Sequence, residues 1–389
     1  AGARVFRRAW STSTHTLPAH SSMFSGVFPH QNGPVDYFNP LPGAVVTLAE
    51  RLSAHGYRCG AVTDGVMVSR SHGLEQGFAS FDERRETDTL ERVRAFLDAD
   101  DGRPIFLFVQ SYAAHTPYTM SAETRARLAG SLRLERDYAD VLRAAEAFAV
   151  GPEQPPSDPV LVDVAARLHD LYRGAASELD ALFGRCRAEF DARGLTRDGY
   201  LLFTSDHGEA FFEHGRPFHA GPVFEEELRV PLLLTGPLVA PGVEDRPVSL
   251  IDFAPTLAGL ARLPVPSEWR GRSLLEPGAE RALFAFQSHR GSTPSTLAVI
   301  DGARKLIAYD DLEAVRAGKL HAAFDLALDP AERASLLGRE VWPAELAREQ
   351  RALLEELLTP LVTQEISNLS SEELANMRAM GYVGEDGEK

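Results

Sequence analysis

Residues 199–209 read GYLLFTSDHGE, an apolar run followed directly by Asp206 and His207. A short, continuous apolar run of this kind predicts a buried strand, with the Asp-His pair at its carboxyl end. The run RPIFLFVQSY (103–112) has the same strand pattern and ends just before His115. Because ligands of open α/β sheets bind beyond the carboxyl ends of the strands, we expect Asp206 and His115 to point into one crevice.

Strand-like and helix-like patterns alternate over about the first 265 residues. Further buried strands are predicted at 57–63 and 230–236, and helical spacing of apolar residues covers 43–55, 160–192 and 251–262. This alternation predicts an α/β fold, with a mainly parallel central sheet and helices on both faces.

The pattern changes after about residue 280. Short strand-like runs separated by turns predict an antiparallel meander, and they lie at 283–288, 296–302, 303–310 and 321–329. A charged helix is expected over 343–358. We therefore predict a large domain over residues 1–275 and a smaller C-terminal α+β subdomain with an antiparallel sheet over residues 276–389.

Composition and charge limit the classes of partner. The 389 residues are 44% hydrophobic and 25% charged, which is ordinary for a globular chain with a sizeable core. The net charge of −16 argues against nucleic acid as a partner, whereas an anionic substrate stays open because a metal ion can reverse the local field. No apolar run approaches the roughly 18 to 20 residues of a membrane span, so we expect no span in this chain. The two cysteines, Cys59 and Cys186, are expected to be buried free thiols.

The Asp206-His207 pair is the first candidate for chemistry. A carboxylate and an imidazole on the turn after a strand can each supply one ligand to a divalent cation. The alternative is that Asp206 caps the next helix and His207 is exposed. His214 and His219 follow closely, so histidines are dense in this stretch.

Two other stretches contain candidate residues. STSTHTLPAHSSMFSG (11–26) places Thr16 four residues before His20. A metal ion can lower the pKa of such a hydroxyl nucleophile, although the same composition also suits a loop and a helix cap. In YAAHTPY (112–118), the proline two residues after His115 makes a rigid turn, from which the imidazole could protonate a leaving group or bind an oxyanion.

In this order and spacing, the three stretches resemble the sulfatase branch of the alkaline-phosphatase superfamily. The resemblance covers nearly the whole chain, through TLPAH with SG (16–26), GYRCGAVTDGVMVSRSHGLEQGFASFD (56–82), TSDHGE (204–209), EHG (213–215) and FEEELRVPLLLTGP (224–237). It implies an ester-processing enzyme with a divalent metal ion, and mixed oxygen and imidazole ligation suits Zn, Mn or Ca. The site residues that it implies are a nucleophile at Thr16, metal ligands at Asp206 and His207, substrate-binding or acid–base residues at His115 and His219, and a substrate-binding residue at His20, which stands in place of an arginine.

Two departures from the family pattern matter. Sulfatases use a formylglycine made from Cys or Ser, and the extra methyl of Thr16 blocks that product. Relatives that handle phosphoryl groups, such as phosphoethanolamine transferases, use a threonine, so Thr16 favours phosphate esters or phosphodiesters. The family's opening strand, with one or two aspartates that complete the metal site, is also expected upstream of AGARVF (1–6), which suggests an N-terminally truncated chain. Localisation stays open; it would be periplasmic or membrane-associated if a signal or anchor precedes.

The sequence therefore predicts a metal-dependent hydrolase or transferase that acts on sulfate or phosphate esters through Thr16. The substrate would be a small molecule, a glycan or a lipid-headgroup ester. One alternative is a true sulfuric ester hydrolase, and another is a degenerate, catalytically inactive binding module.

Overall fold

The computed structural model describes residues 2–85, 88–146, 154–276, 278, 280–288, 295–364 and 369–380. The strands are β1 Arg4–Phe6, β2 Ala9–Trp10, β3 Arg58–Val62, β4 Ser80–Asp82, β5 Ile105–Val109, β6 Leu201–Thr204, β7 Ala210–Phe211, β8 Pro217–Phe218, β9 Leu232–Thr235, β10 Gly242–Glu244, β11 Val248–Ser249, β12 Leu283–Gln287, β13 Thr296–Asp301, β14 Arg304–Tyr309 and β15 Leu320–Asp325. The helices are α1 Thr16–Ser25, α2 Pro29–Asn32, α3 Leu48–Ala54, α4 Thr89–Asp98, α5 Ala122–Leu128, α6 Tyr138–Glu146, α7 Pro159–Ala192, α8 Leu195–Asp198, α9 Glu225–Leu228, α10 Phe253–Leu260, α11 Leu312–Ala317, α12 Trp342–Leu357 and α13 Ser371–Ala379.

The strands of the first two thirds of the chain form a mixed but largely parallel arrangement. Strands β4, β3 and β5 pair in that order and run parallel. A second sheet has the order β10-β1-β9-β6, in which β1 and β10 are parallel. Helices pack against these sheets, for example α3 and α4 against β3. The α/β prediction is thus confirmed.

One strand runs against the predicted direction. Strand β9 is antiparallel to both β1 and β6. The segment that joins β6 to β9 contains the β7–β8 hairpin and the four-residue helix α9 in place of a long crossover helix. Parallel neighbours need such a crossover, so this connection returns the chain in the opposite direction.

Helix α1 is the element that brings Thr16 into the interior. All ten of its residues are buried. The helix ends at Gly26, which has the left-handed φ of 63° that favours glycine. A Cβ at this position would lie 2.9 Å from the Trp269 ring, so both the backbone and the packing require a glycine there.

The C-terminal sheet has the order β12-β13-β14-β15 and is antiparallel throughout, as predicted. One face packs on α12 and on Phe28, and the other face packs on Trp10 and Phe224. The backbone N–H of Phe286 donates to the carbonyl of Thr12 at 2.9 Å. The sheet therefore touches the segment that leads into α1. The division of the chain at residue 275 stays a prediction.

The observed helices agree with the predicted ones in one case and differ at the start in another. The helix predicted over 160–192 is α7, but the one predicted over 43–55 begins only at Leu48, where Thr47 and Glu50 form a capping box. Cys59 and Cys186 are buried and free, as expected. Within the part of the chain that is described, no helix is long and apolar enough to cross a membrane.

Candidate active site

Three segments converge beside the amino end of α1. Thr16 is the first residue of that helix and is 1% exposed. Its Oγ1 lies 3.1 Å from Nε2 of His207, which comes from the turn after β6. Nδ1 of His207 donates to the carbonyl of Gly208 at 2.8 Å. In its neutral form the ring therefore carries its lone pair on Nε2, where it accepts a hydrogen bond from the Thr16 hydroxyl.

Asp206 is surrounded by histidines. Its Oδ2 lies 3.4 Å from Nε2 of His207 and 3.7 Å from Nδ1 of His20. Burial works to raise the pKa of Asp206, but the charges of His207, His20 and His219 outweigh it and hold the pKa at about 2. Asp206 is consequently an anion, and it is the acidic centre of the site.

His20 lies one helical turn after Thr16. Its Nδ1 donates to the carbonyl of Thr16 at 2.8 Å, and burial lowers the pKa of the ring. The ring also packs edge-on against Phe108 of β5. His20 is thus held close to both Thr16 and Asp206, at the place where the sequence suggested a substrate-binding residue.

His219 and His115 form the second half of the site. The His219 ring lies 4.5 Å from the His207 ring and 4.8 Å from the His115 ring, measured between centroids. Burial, followed by the neighbouring His219, lowers the pKa of His115 to about 4. Nδ1 of His115 donates to the carbonyl of Thr116 at 2.9 Å. The structure therefore brings all six predicted site residues into one region.

Sequence reasoning missed Glu209 as a site residue. Its Oε1 lies 2.9 Å from Nδ1 of His219, and burial raises the pKa of the carboxyl to about 7. A signal was present, since this glutamate follows Asp206 and His207 within the same SDHGE stretch. What the sequence did not indicate is that the partner of Glu209 would be His219, ten residues later.

His214 does not belong to this group. Its ring nitrogens face Glu226 and the carbonyl of Glu332, and the ring stacks on Phe224. The dense histidine stretch is therefore divided: His207 and His219 contribute to the site, and His214 faces away from it.

Beside Thr16 lie some of the donor groups that a divalent metal ion would need. Oδ2 of Asp206, Nε2 of His207 and the Thr16 hydroxyl lie close together and are suitable donors for a divalent ion. Among the residues that the structure describes, however, there is no group of three or more His, Cys, Asp or Glu side chains placed to hold an ion. The described residues therefore offer fewer donors than a complete metal site needs.

The family model and two curated relatives that match this chain are all sulfatases. A family model described as Sulfatase matches residues 2–263. Arylsulfatase K of Xenopus laevis is 32% identical over 183 residues, covering 43% of this chain and 33% of the relative. Arylsulfatase K of Mus musculus is 24% identical over 392 residues, covering 84% of this chain and 68% of the relative. The chain thus spans between one third and about two thirds of the length of these curated relatives.

Two solved structures share the fold. BT4656, solved in complex with its substrate D-glucosamine-2-N,6-O-disulfate, superposes with a TM-score of 0.73 at 17% identity, covering 92% of this chain and 90% of that one. The phosphonate monoester hydrolase of Agrobacterium radiobacter superposes with a TM-score of 0.72 at 18% identity, covering 92% and 88%. At these identities the likeness concerns the fold. Because the family model spans well over half of the sequence, the chain belongs to the sulfatase family of ester hydrolases.

Proposed function

We propose that this chain hydrolyses a sulfate or phosphate ester, with Thr16 as the nucleophile. The observation that carries the proposal is the 3.1 Å contact between the Thr16 hydroxyl and Nε2 of His207. A hydroxyl is a weak nucleophile until a base takes its proton, and a neutral imidazole nitrogen at hydrogen-bond distance is such a base. Family membership supports the same reaction class.

In the first step, the Thr16 oxygen attacks the central phosphorus or sulfur while its proton passes to His207. A new bond forms between Oγ1 and the central atom, and the bond from that atom to the leaving alcohol oxygen breaks. Water then attacks the central atom of the threonyl ester and passes a proton to His219, which lost its own proton to the leaving alcohol. The bond to Thr16 breaks, Thr16 takes its proton back from His207, and the acid product leaves.

His219 and Glu209 are proposed to handle the leaving group. Glu209 accepts a hydrogen bond from Nδ1 of His219 at 2.9 Å and so orients the ring. A protonated His219 can then donate its other proton to the departing oxygen. His115 lies beside His219 and His20 lies beside Asp206, and we assign both to binding the non-bridging oxygens.

A divalent metal ion is part of the proposal, since members of the family generally use one. Asp206 would hold it, with further donors from outside the described residues or from water, because the free ring nitrogen of His207 is assigned here to the Thr16 proton. The ion would neutralise charge on the ester oxygens and lower the pKa of the Thr16 hydroxyl. Carboxylate and imidazole donors are compatible with Zn²⁺, Mn²⁺ or Ca²⁺.

The choice between phosphate and sulfate rests on opposing observations. Thr16 cannot form the usual formylglycine, which favours a phosphate ester or diester, and one structural neighbour is a phosphonate monoester hydrolase. The arylsulfatase K relatives and the disulfate complex of BT4656 support sulfate ester hydrolysis as the second candidate. We place phosphate first because the nucleophile decides the chemistry of the covalent step.

The test compares matched substrates on the purified chain, with its metal content measured. We would assay 4-nitrophenyl phosphate, bis(4-nitrophenyl) phosphate and 4-nitrophenyl sulfate, and analyse the peptide that contains Thr16 by mass spectrometry after rapid acid quenching. Turnover of a phosphate ester with an adduct on Thr16 is the expected result. If only the sulfate ester gives an adduct, the substrate is a sulfate ester and the phosphate assignment is wrong. Substrate turnover that Thr16→Ala leaves unchanged would overturn the mechanism.

A further inference from the structure

The β7–β8 hairpin is the segment that relates the two halves of the proposed site. Asp206 and His207 precede β7, and His219 directly follows β8. His214 lies at the opposite end, in the turn between the two strands. Through the two strands, this turn is therefore joined to both halves of the site.

His214 is bonded at both ring nitrogens. Nδ1 lies 2.6 Å from Oε1 of Glu226, and Nε2 lies 3.0 Å from the carbonyl oxygen of Glu332. The ring is 5% exposed and stacks on Phe224, with 3.7 Å between centroids and 3° between planes. A carbonyl and a carboxylate are both acceptors, so both ring nitrogens carry a hydrogen and His214 is an imidazolium cation.

The partner of Nε2 is itself fixed. Nζ of Lys305, on β14, lies 2.9 Å from Oε1 of Glu332 and 3.0 Å from Oε1 of Glu225. Oε2 of Glu332 accepts the backbone N–H of Glu225 at 2.6 Å. Lys305 is fully buried, so these contacts are shielded from water. Through these contacts, Lys305 of the C-terminal sheet fixes the position of Glu332, whose carbonyl accepts the hydrogen bond from His214.

The partner of Nδ1 belongs to a helix that also holds the base of the hairpin. Glu226 and Glu227 are neighbours on α9. The carbonyl of Glu227 accepts the backbone N–H of Gly208 at 2.7 Å, and its Oε2 accepts that of Gly221 at 2.9 Å. Helix α9 thus forms hydrogen bonds with both ends of the hairpin segment, at Gly208 and Gly221, and with its turn, at His214.

We propose that His214, carried as a cation between Glu226 and Glu332, is a positioning residue that fixes the catalytic hairpin to α9 and the C-terminal sheet, and thereby sets the placement of His219. The inference rests on the proposed function, since it assigns His219 a part in the reaction. It adds a pH-dependent contact remote from Thr16.

The charges around His214 determine the direction of its pH dependence. Glu226 faces it from α9, Glu332 faces it from the segment after β15, and Lys305 neutralises part of the Glu332 charge. Within the hairpin, the carbonyl of Glu213 is bound by Arg333 at 3.0 Å.

Burial works to lower the pKa of His214, but the hydrogen bond and charge of Glu226 and the contacts with Glu332 outweigh it and raise the pKa. The contact is therefore complete at low pH and is released as the pH rises through this raised pKa.

The first experiment measures the charge state of the His214 ring in the full chain. It uses nuclear magnetic resonance of the histidine side chains over a range of pH. His55 is the reference, because it is exposed and bonds only a carbonyl of its own helix, at 2.7 Å. We expect His214 to stay doubly protonated above pH 6.5, the ordinary pKa of a histidine. Loss of its second ring proton at or below that pH would overturn the proposal.

The second measurement asks whether the contact positions the site. The variants are His214→Gln, the milder Glu226→Gln, which keeps the size of the side chain, and His55→Gln as the matched control. Because a misplacement of about 1 Å can cost up to about 100-fold in rate, we expect kcat to fall by about tenfold in His214→Gln with little change in KM. The ratio of wild-type to variant kcat should decrease as the pH rises, whereas a ratio independent of pH would contradict the proposal.

Hydrogen exchange separates this inference from the proposed function. The backbone amides of Gly208 and Gly221 should exchange about tenfold faster in His214→Gln than in the wild type, as expected for a loosened local structure. If the wild type has no esterase activity, the proposed function fails, and exchange alone then decides the positioning role. Unchanged exchange at both glycines would reject it.

Discussion

The Thr16 hydroxyl lies 3.1 Å from Nε2 of His207, although 191 residues separate the two in the chain. Helix α1 delivers the first residue and the turn after β6 delivers the second. The contact joins a hydroxyl to an imidazole in a buried setting, where an unmade hydrogen bond would be costly. It is the geometric basis of the proposed reaction.

Substitutions at Thr16 should distinguish the role of its hydroxyl oxygen from the role of its methyl group. We expect Thr16→Ala to lower kcat by at least about 10³-fold, because the attacking atom is lost, and Thr16→Ser to keep part of the activity. The matched control is Ser22→Ala, which removes a buried hydroxyl from the same helix. Steady-state kinetics on the preferred ester would check this, and an alanine variant with near-normal kcat would contradict it.

Glu209 and His219 should act as a unit. Because Glu209 orients His219 through a 2.9 Å hydrogen bond, we expect Glu209→Gln to lower kcat by about 10- to 100-fold. The same change made in a His219→Asn background should cost much less. A double-mutant cycle measures this coupling, and additive effects of the two changes would show that Glu209 and His219 act independently.

His115 should make stability depend on pH. Its folded-state pKa of about 4 lies below the ordinary value of 6.5, so the unfolded chain binds the proton more readily. The contribution is present above pH 6.5 and is lost as the pH falls through about 4.

We therefore expect the wild type to lose stability between these pH values relative to His115→Asn, by an amount on the order of 1 to 3 kcal/mol. Urea unfolding of both proteins across this pH range isolates the contribution of His115 to the unfolding free energy, since the contributions of groups that titrate alike in the two proteins cancel. Parallel stability curves would contradict the assignment.

Lys305 should be essential for stability in spite of its charge. It is fully buried between Glu225 and Glu332, and Lys305→Met would leave two carboxylates facing each other without a cation. Breaking a buried ion pair in this way costs about 3 to 5 kcal/mol. Lys319, which is exposed, provides the matched control, and its change to Met should cost less than about 0.5 kcal/mol. Equal unfolding free energies for the two variants would contradict the buried role.

The strands and helices with clear local patterns followed from the sequence. The long helix α7 and the antiparallel meander β12–β15 depend on apolar spacing and on contacts between near neighbours. The strand-end position of Asp206 followed in the same way, since β6 ends at Thr204.

The direction of β9 and the partners of the histidines could not be obtained in this way. Strand β9 carries the same apolar pattern as a parallel strand, because burial on both faces gives one pattern for either direction. The sequence also placed His207, His214 and His219 in one dense group, and nothing in their spacing distinguished the residue that faces Glu226 from those that face the site.

By itself the sequence determined the fold class, the order of the motifs and the residue types from which a site could be built. These properties are set by short-range periodicity and by the chemistry of each side chain. Only the tertiary structure decided that Thr16 meets His207, that Glu209 meets His219, and that the C-terminal sheet reaches His214 through Glu332. Such contacts join segments remote in the chain, and their geometry depends on how whole elements pack, which no local pattern encodes.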